Sequence, residues 1–255
     1  MNPFHTFLKD LVPILGGFKG KVILDVGCEL KGDLVRCLTE DYQAQAAVGI
    51  NPIAPPLTIS DCCEVIPGDI RKTEFADATF DLIISSCAFE HIPNLDRALV
   101  EMNRILKPGG FIYSHHGPIW STLYGHHIYL PGGNTYWKII LPPWCHLLML
   151  EPELAEWLSK TYDPPSVKLI LDWVYRDPGQ NRLMYSDHVR IYHNSPLEVC
   201  FCYGYTHPEL SDRYLSLMSY DLIEKLKSRF PNHEGFFYEG INLNPAIETS
   251  QKSRR

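Results

Sequence analysis

Apolar positions in the first half of the chain fall into two alternating patterns. Short, nearly unbroken apolar runs stand at 22–26, 46–50, 62–66, 80–85 and 111–114. Runs of that length predict strands buried on both faces. Between them lie segments with helical spacing, at 33–40 and at 95–106, where Leu95, Leu99, Met102 and Leu106 share one face. Lys107-Pro108-Gly109-Gly110 stops the second of these. A further short amphipathic helix is expected over 3–15. Strand and helix in alternation predict an α/β fold, a mostly parallel sheet wound by helices on both faces.

The rhythm breaks after Ser114. Residues 117–185 are rich in Pro, Gly and aromatics and hold all five Trp: Trp120, Trp137, Trp144, Trp157 and Trp173. Two helical patches, 152–160 and 165–175, lie within this stretch, which reads as an aromatic-rich lid inserted after the fifth strand. Regular patterning resumes with a helix capped by Ser186, a strand at 198–205, a long helix at 211–230 and a last strand at 235–243. The expected organisation is a core of 1–116 and 186–246, a lid or substrate-binding insertion of 117–185, and a flexible tail of 247–255.

Composition narrows the function classes. A formal charge of −7 over 255 residues disfavours a nucleic-acid backbone as partner, since phosphate binding needs a basic face. No window reaches the roughly 18 unbroken apolar residues of a membrane span. The eight Cys are scattered, several inside apolar runs, as suits buried thiols in a reducing compartment, so a cytoplasmic location is expected. No CxxC pair with zinc spacing occurs and no carboxylate is evenly spaced to complete the His pairs, so no metal site is expected.

The chemistry centres on Leu24-Asp25-Val26-Gly27-Cys28, an apolar run ending in an acid and a glycine, with a helix opening soon after. A strand turning through Gly into a helix N-terminus is the geometry that nucleotide-type cofactors use. Four more motifs follow in order: Val48-Gly49-Ile50-Asn51-Pro52, Pro67-Gly68-Asp69-Ile70, Ser85-Ser86-Cys87 leading into Ala88-Phe89-Glu90-His91-Ile92, and Arg104-Ile105-Leu106-Lys107-Pro108-Gly109-Gly110. Through them, residues 20–116 resemble the class I S-adenosylmethionine (SAM) dependent methyltransferases, with a type 11-like domain. The resemblance implies a Rossmann-like, doubly wound, seven-stranded sheet whose last strand is antiparallel. It also implies SAM as cofactor, S-adenosylhomocysteine (SAH) as product, and a small-molecule or saccharide acceptor methylated on oxygen.

By that resemblance Asp25, Gly27 and Cys28 form the cofactor loop, and Asn51 and Pro52 lie at the ribose. Asp69 accepts from the adenine amine while Ile70 flanks the ring, and Ser86 and Cys87 border the methionine part. Two positions depart from the family pattern: Glu29 replaces its second glycine, and Asn51 replaces its ribose-binding acid. They motivate the alternative of a methyltransferase-like binding or scaffold protein with a degenerate site. A nicotinamide enzyme is disfavoured because GxGxxG is absent.

On the acceptor side, the fifth strand runs out at Ser114-His115-His116-Gly117-Pro118, and His126-His127 follow close by. Imidazole takes a proton near neutral pH, and His116 and His127 are the favoured catalytic bases. His91, His115, Trp120, Tyr124 and His126 are the expected substrate contacts. A polar loop without catalytic part remains the rival reading of the His pairs. The apolar stretch 137–150 leaves a lipid-linked or membrane-surface substrate open.

Overall fold

The computed structural model describes residues 4–130, 134–135, 141–206 and 219–246. The chain divides into two compact units. One holds the chain up to His116 together with Arg190–Tyr203 and the segment from Asn242; the other holds Gly117–Val189 and Gly204–Ile241.

The first unit alternates α1 (Phe4–Leu15), β1 (Val22–Val26), α2 (Asp33–Glu40), β2 (Ala46–Asn51), β3 (Leu57–Ser60), β4 (Cys63–Pro67), β5 (Phe80–Ser86), α3 (Leu95–Ile105) and β6 (Leu106–His116). Strands β4, β2, β1, β5 and β6 run parallel, as their unbroken apolar character predicts. The full sheet has eight strands in the order β3-β4-β2-β1-β5-β6-β10-β9, where β9 is Glu198–Tyr205 and β10 is Gly240–Ala246, both antiparallel. The sequence predicted seven. The extra strand, β3, pairs antiparallel with β4 at the sheet edge, and half of its side chains are exposed. A four-residue edge strand lacks the apolar run that marks a buried one.

Ile23, Leu34, Val35, Leu38, Ala47, Val65, Leu82 and Ile84 form the core of this unit, with Leu8, Leu11 and Leu15 of α1 packed onto it. Burying such side chains contributes about 1.5–3 kcal/mol each.

The second unit has its own core. It contains β7 (Tyr129–Leu130), β8 (Asn134–Thr135), α4 (Cys145–Leu148), α5 (Glu151–Leu158), α6 (Pro164–Arg176), most of the described part of α7 (Tyr185–His193) before its crossing at Arg190, and α8 (Tyr220–Arg229). One cluster joins Leu123, Trp144, Leu147, Met184, Leu226 and Phe236; another joins Ile128, Cys145, Leu154, Leu158, Ile170 and Val174. Segment 204–241, expected with the sheet core, therefore belongs largely here, because Leu226 and Phe236 bury against Trp144 and Leu147.

Two local expectations also shift. Ser186 lies inside α7 rather than capping it, and its Oγ accepts from the Glu234 N–H at 3.0 Å. The last strand starts at Gly240, because Gly235 has φ +73° and begins a turn closed by Tyr238 N–H to Gly235 O at 3.1 Å. Of the long helix expected at 211–230, residues 211–218 lie outside the described residues, as does the tail 247–255. The remainder is α8, capped by Ser219 Oγ, which accepts from the Leu222 N–H at 3.2 Å.

Candidate functional site

The carboxyl ends of five parallel strands lie side by side. Asn51 pairs with Pro67, Val26 with Ile50, Asp25 with Ile84, and Ser86 with His115. The chain steps from β1 to β2 on one side, while β5 and β6 extend the sheet on the other. That reversal makes the carboxyl ends of β1 and β5 the topological switch point, the place where open α/β sheets bind ligands.

Gly27 turns the chain out of β1 with φ +77°, and a Cβ there would stand 2.3 Å from that of Ala88. Only glycine lets the loops after β1 and β5 approach this closely. Ser85 Oγ donates to Val26 O at 2.9 Å and fixes the same junction. Asp25 is buried at the strand end, and its Oδ2 has no hydrogen-bond partner among the described residues. Burial drives its pKa well above the ordinary carboxylate value, and the negative charge of Glu29 adds to the rise.

Glu29 does not stand as an empty obstacle. Its Oε1 accepts from the backbone N–H of Asp33 and, at 3.2 Å, from that of Leu34. Gly32, the N-cap position of α2, has φ +70° and no side chain to cap with, so Glu29 supplies the missing acceptor. Cys28 is buried, and burial pushes its thiol up to about 12, as suits a packing residue.

Asn51 braces the loop from the β2 side. Its Nδ2 donates to Cys28 O at 2.8 Å, and its Oδ1 accepts from the Ile53 N–H at 3.0 Å. An aspartate could not make the first bond, which gives the departure from the family acid a structural reason. Pro52 beside it is exposed. Asp69 is gripped by Arg71 through two guanidinium nitrogens at 2.6–3.0 Å and by the Arg71 N–H at 2.9 Å. That grip holds its carboxyl below the ordinary range. Ile70 is buried behind it, and a small cavity of about 210 Å³ opens beside Asp69, lined in part by Ile50, Pro67 and Gly68. Ser86 is half-buried, and Cys87 is exposed with φ +53°, its thiol raised to about 11 chiefly by desolvation.

The two histidines ending β6 sit differently. His116 is fully buried, with Nδ1 bonded to Ser114 Oγ and Nε2 to Tyr192 Oη, both at 2.9 Å. His115 is half-buried, and its Nδ1 lies 2.8 Å from Asn242 Oδ1, an acceptor that also takes the Tyr113 hydroxyl at 3.1 Å. The Nδ1 of His115 is therefore the protonated nitrogen, and its basic lone pair is on Nε2. Glu90 is buried in the one-turn helix after β5, and His91 beside it is exposed.

Trp120, Tyr124, His126 and His127 belong to the second unit. Trp120 lies edge-on to His146 and under the Arg182 guanidinium at 5.1 Å. Tyr124 and His126 are buried, and His127 has φ +50° with Nδ1 at 3.2 Å from Gly125 O. The first unit thus gathers Asp25, Gly27, Cys28, Asn51, Pro52, Asp69, Ile70, Ser86, Cys87, His91, His115 and His116 on its strand ends. Sequence reasoning missed Arg71, Tyr192 and Asn242. Arg71 had a signal, an opposite charge two positions past Asp69; the other two come from distant segments and had none.

Residues 24–114 match the family model for a methyltransferase domain. The chain is 34% identical over 97 residues to the sterol 4-C-methyltransferase strm-1 of Caenorhabditis elegans, covering 34% of this chain and 28% of that protein. It is 29% identical over 125 residues to the demethylmenaquinone methyltransferase of Staphylococcus haemolyticus, covering 47% of this chain and 48% of that protein. The chain thus spans less than half the length of either relative. The fold aligns with geranyl diphosphate C-methyltransferase from Streptomyces coelicolor A3(2), solved with Mg2+, geranyl diphosphate and S-adenosyl-L-homocysteine. There the TM-score is 0.54 at 12% identity, covering 95% of this chain and 77% of that one.

Proposed function

We propose that this chain, which carries a methyltransferase domain at 24–114 on the class I methyltransferase fold, transfers the methyl group of SAM to a small apolar acceptor and releases SAH. The observation that carries this reading is the unpartnered, buried Oδ2 of Asp25 at the strand-end switch point. A buried carboxylate oxygen without a donor costs free energy that a bound ammonium or N–H recovers. SAM brings an ammonium and a sulfonium, and the carboxylate of Glu29 adds a second negative charge nearby. The residues present therefore fit the cofactor. Asp25 would hold its cationic end, Asn51 Oδ1 keeps a second lone pair for a ribose hydroxyl, and Asp69 with its adjoining cavity suits the adenine ring.

When bound, SAM supplies a methyl group on an already activated leaving group, so positioning provides most of the rate. The protein's part is to hold the acceptor in line, to exclude water and to accept a proton where the acceptor releases one. His115, anchored through Nδ1 on Asn242 at the end of β6, is the candidate for the last task. His116, with both nitrogens bonded inside the core, suits the role of a brace for β6. His127, the other base expected from sequence, lies in the second unit.

The names of the relatives, sterol and demethylmenaquinone methyltransferases, support an apolar acceptor over the saccharide considered from sequence. Calorimetric titration of the whole protein with SAM and with SAH tests the cofactor reading, and both are expected to bind. No heat with either at high micromolar concentration would favour the scaffold alternative, in which Asn51, Asp69 and Glu29 serve only the fold. Transfer of labelled methyl to a panel of quinols, sterols and isoprenoids tests the acceptor class. Labelling of saccharides alone would overturn it.

A further inference from the structure

Away from the strand ends, the second unit brings three soft donor groups together. His126, Cys145 and His146 are all buried, and one ligand atom from each lies within 4.8 Å of the others. His146 donates its Nε2–H to Trp120 O at 2.7 Å, which places its bare lone pair on Nδ1. That Nδ1 is buried with no hydrogen-bond partner among the described residues. One ring nitrogen anchored on a backbone carbonyl with the other left bare is how metal-bound imidazoles are oriented.

Burial pushes His146 down to about 4 and holds His126 well below its ordinary value, so both rings stay neutral. Burial raises the Cys145 thiol to about 12, so only a strong local cation makes its thiolate favourable. Trp144, immediately before Cys145, is fully buried and donates its Nε1–H to Ser121 O at 3.0 Å.

We propose that His126, Cys145 and His146 bind a zinc-class divalent transition-metal ion, with Nδ1 of His146 and Sγ of Cys145 as two of its ligands. Two imidazoles and a thiolate are a soft set that selects zinc and its neighbours over calcium or magnesium. Tetrahedral zinc, with bonds of about 2.0–2.3 Å, spaces such donors about 3.3–3.7 Å apart. Side-chain rotation of about 1 Å closes the observed spread. On binding, a metal–sulfur bond forms and the thiol proton leaves to solvent, with no change of oxidation state. His126 gives up the long 3.3 Å bond that its Nδ1 accepts from the Ile128 N–H. A cleft of about 380 Å³, lined by Trp120, His146, Arg182 and His233 among others, borders the cluster at His146. The Arg182 charge opposes a cation there, so affinity rests on the thiolate. The ion would tie the segment around 120–128 to the start of α4, closing a loop across nineteen sequence steps.

The test uses the full chain, stripped by dialysis against a chelator and then titrated with Co2+ as a spectroscopic probe. One Co2+ per chain is expected, with thiolate-to-cobalt charge-transfer absorption that Zn2+ abolishes by displacement. Cys145→Ser should lose the band, and His146→Gln and His126→Gln should each weaken Co2+ and Zn2+ binding at least about tenfold. Cys62→Ser, at an exposed thiol, should keep both. Circular dichroism checks folding of each variant, and any folded one of the three decides the matter. A folded wild type with no thiolate band and a Tm unmoved by excess Zn2+ would overturn the proposal, as would a band that survives in folded Cys145→Ser.

Discussion

Asp25 sits where a carboxylate is costly without a ligand. Its folded pKa stands above the ordinary 3.8, so its favourable contribution is full below that value and is lost as pH rises through the raised one. Asp25→Asn should therefore stabilise the ligand-free protein at neutral pH by about 1–3 kcal/mol and flatten the fall of its stability as pH rises above 3.8. The same change should weaken SAM at least about tenfold, since the amide offers no charge to the ammonium. Denaturant melts and calorimetry read these two opposite effects. Asp69 has the other sign: Arg71 depresses its pKa, so its contribution is lost as pH falls through the lowered value. The pair is partly exposed and adds at most about 1 kcal/mol to stability. Asp69→Ala should still weaken SAM about ten- to a hundredfold, while Arg71→Ala, which frees the carboxylate, should not. Equal losses in both variants would assign Asp69 to the ion pair alone.

Helix α2 and strand β6 each depend on one remote side chain. Glu29 caps α2 in place of Gly32, so Glu29→Ala should cost about 0.5–2 kcal/mol of stability rather than relieve the cofactor loop. Thermal melts of the ligand-free protein measure this, and an unchanged Tm would return Glu29 to the role of a bystander. In β6, the Tyr192 hydroxyl meets a His116 nitrogen in a fully buried pair. Tyr192→Phe should cost about 1–3 kcal/mol and leave SAM affinity intact, because it removes one buried hydrogen bond of His116. If kcat falls with stability unchanged, His116 is a base after all.

The molecule as a whole has separate cores in its two units, one around Ile23, Leu38 and Ile84 and others around Trp144 and Ile170. Two transitions are expected in scanning calorimetry, since single two-state unfolding belongs to chains with one core. SAH should raise the transition of the first unit and Zn2+ that of the second, each by about 2.7 kcal/mol at a hundred times its Kd. A single transition moved by both ligands would show the units unfold together.

The parallel strands, α3 and the Gly27 turn were legible in the sequence, whereas Lys-Pro-Gly-Gly, expected as a helix stop before a strand at 111, lies inside β6, which begins at Leu106. Each rests on the burial and backbone conformation of neighbouring positions, which periodicity and glycine placement encode locally. The strand-end residues Asp25, Asn51 and Asp69 were legible for the same reason, since a motif places its own loop. The partners of those residues were not. Arg71 on Asp69, Glu29 on α2, Tyr192 on His116 and Asn242 on His115 are settled by which segments meet in three dimensions. The assignment of 204–241 to the second unit and the meeting of His126 with Cys145 and His146 are decisions of the same kind. An apolar period reports that a side chain is buried, but not against what, and two donors nineteen positions apart carry no local mark of their encounter. Tertiary packing alone chose those pairs, because only there does burial strip each group of water and make its neighbour matter.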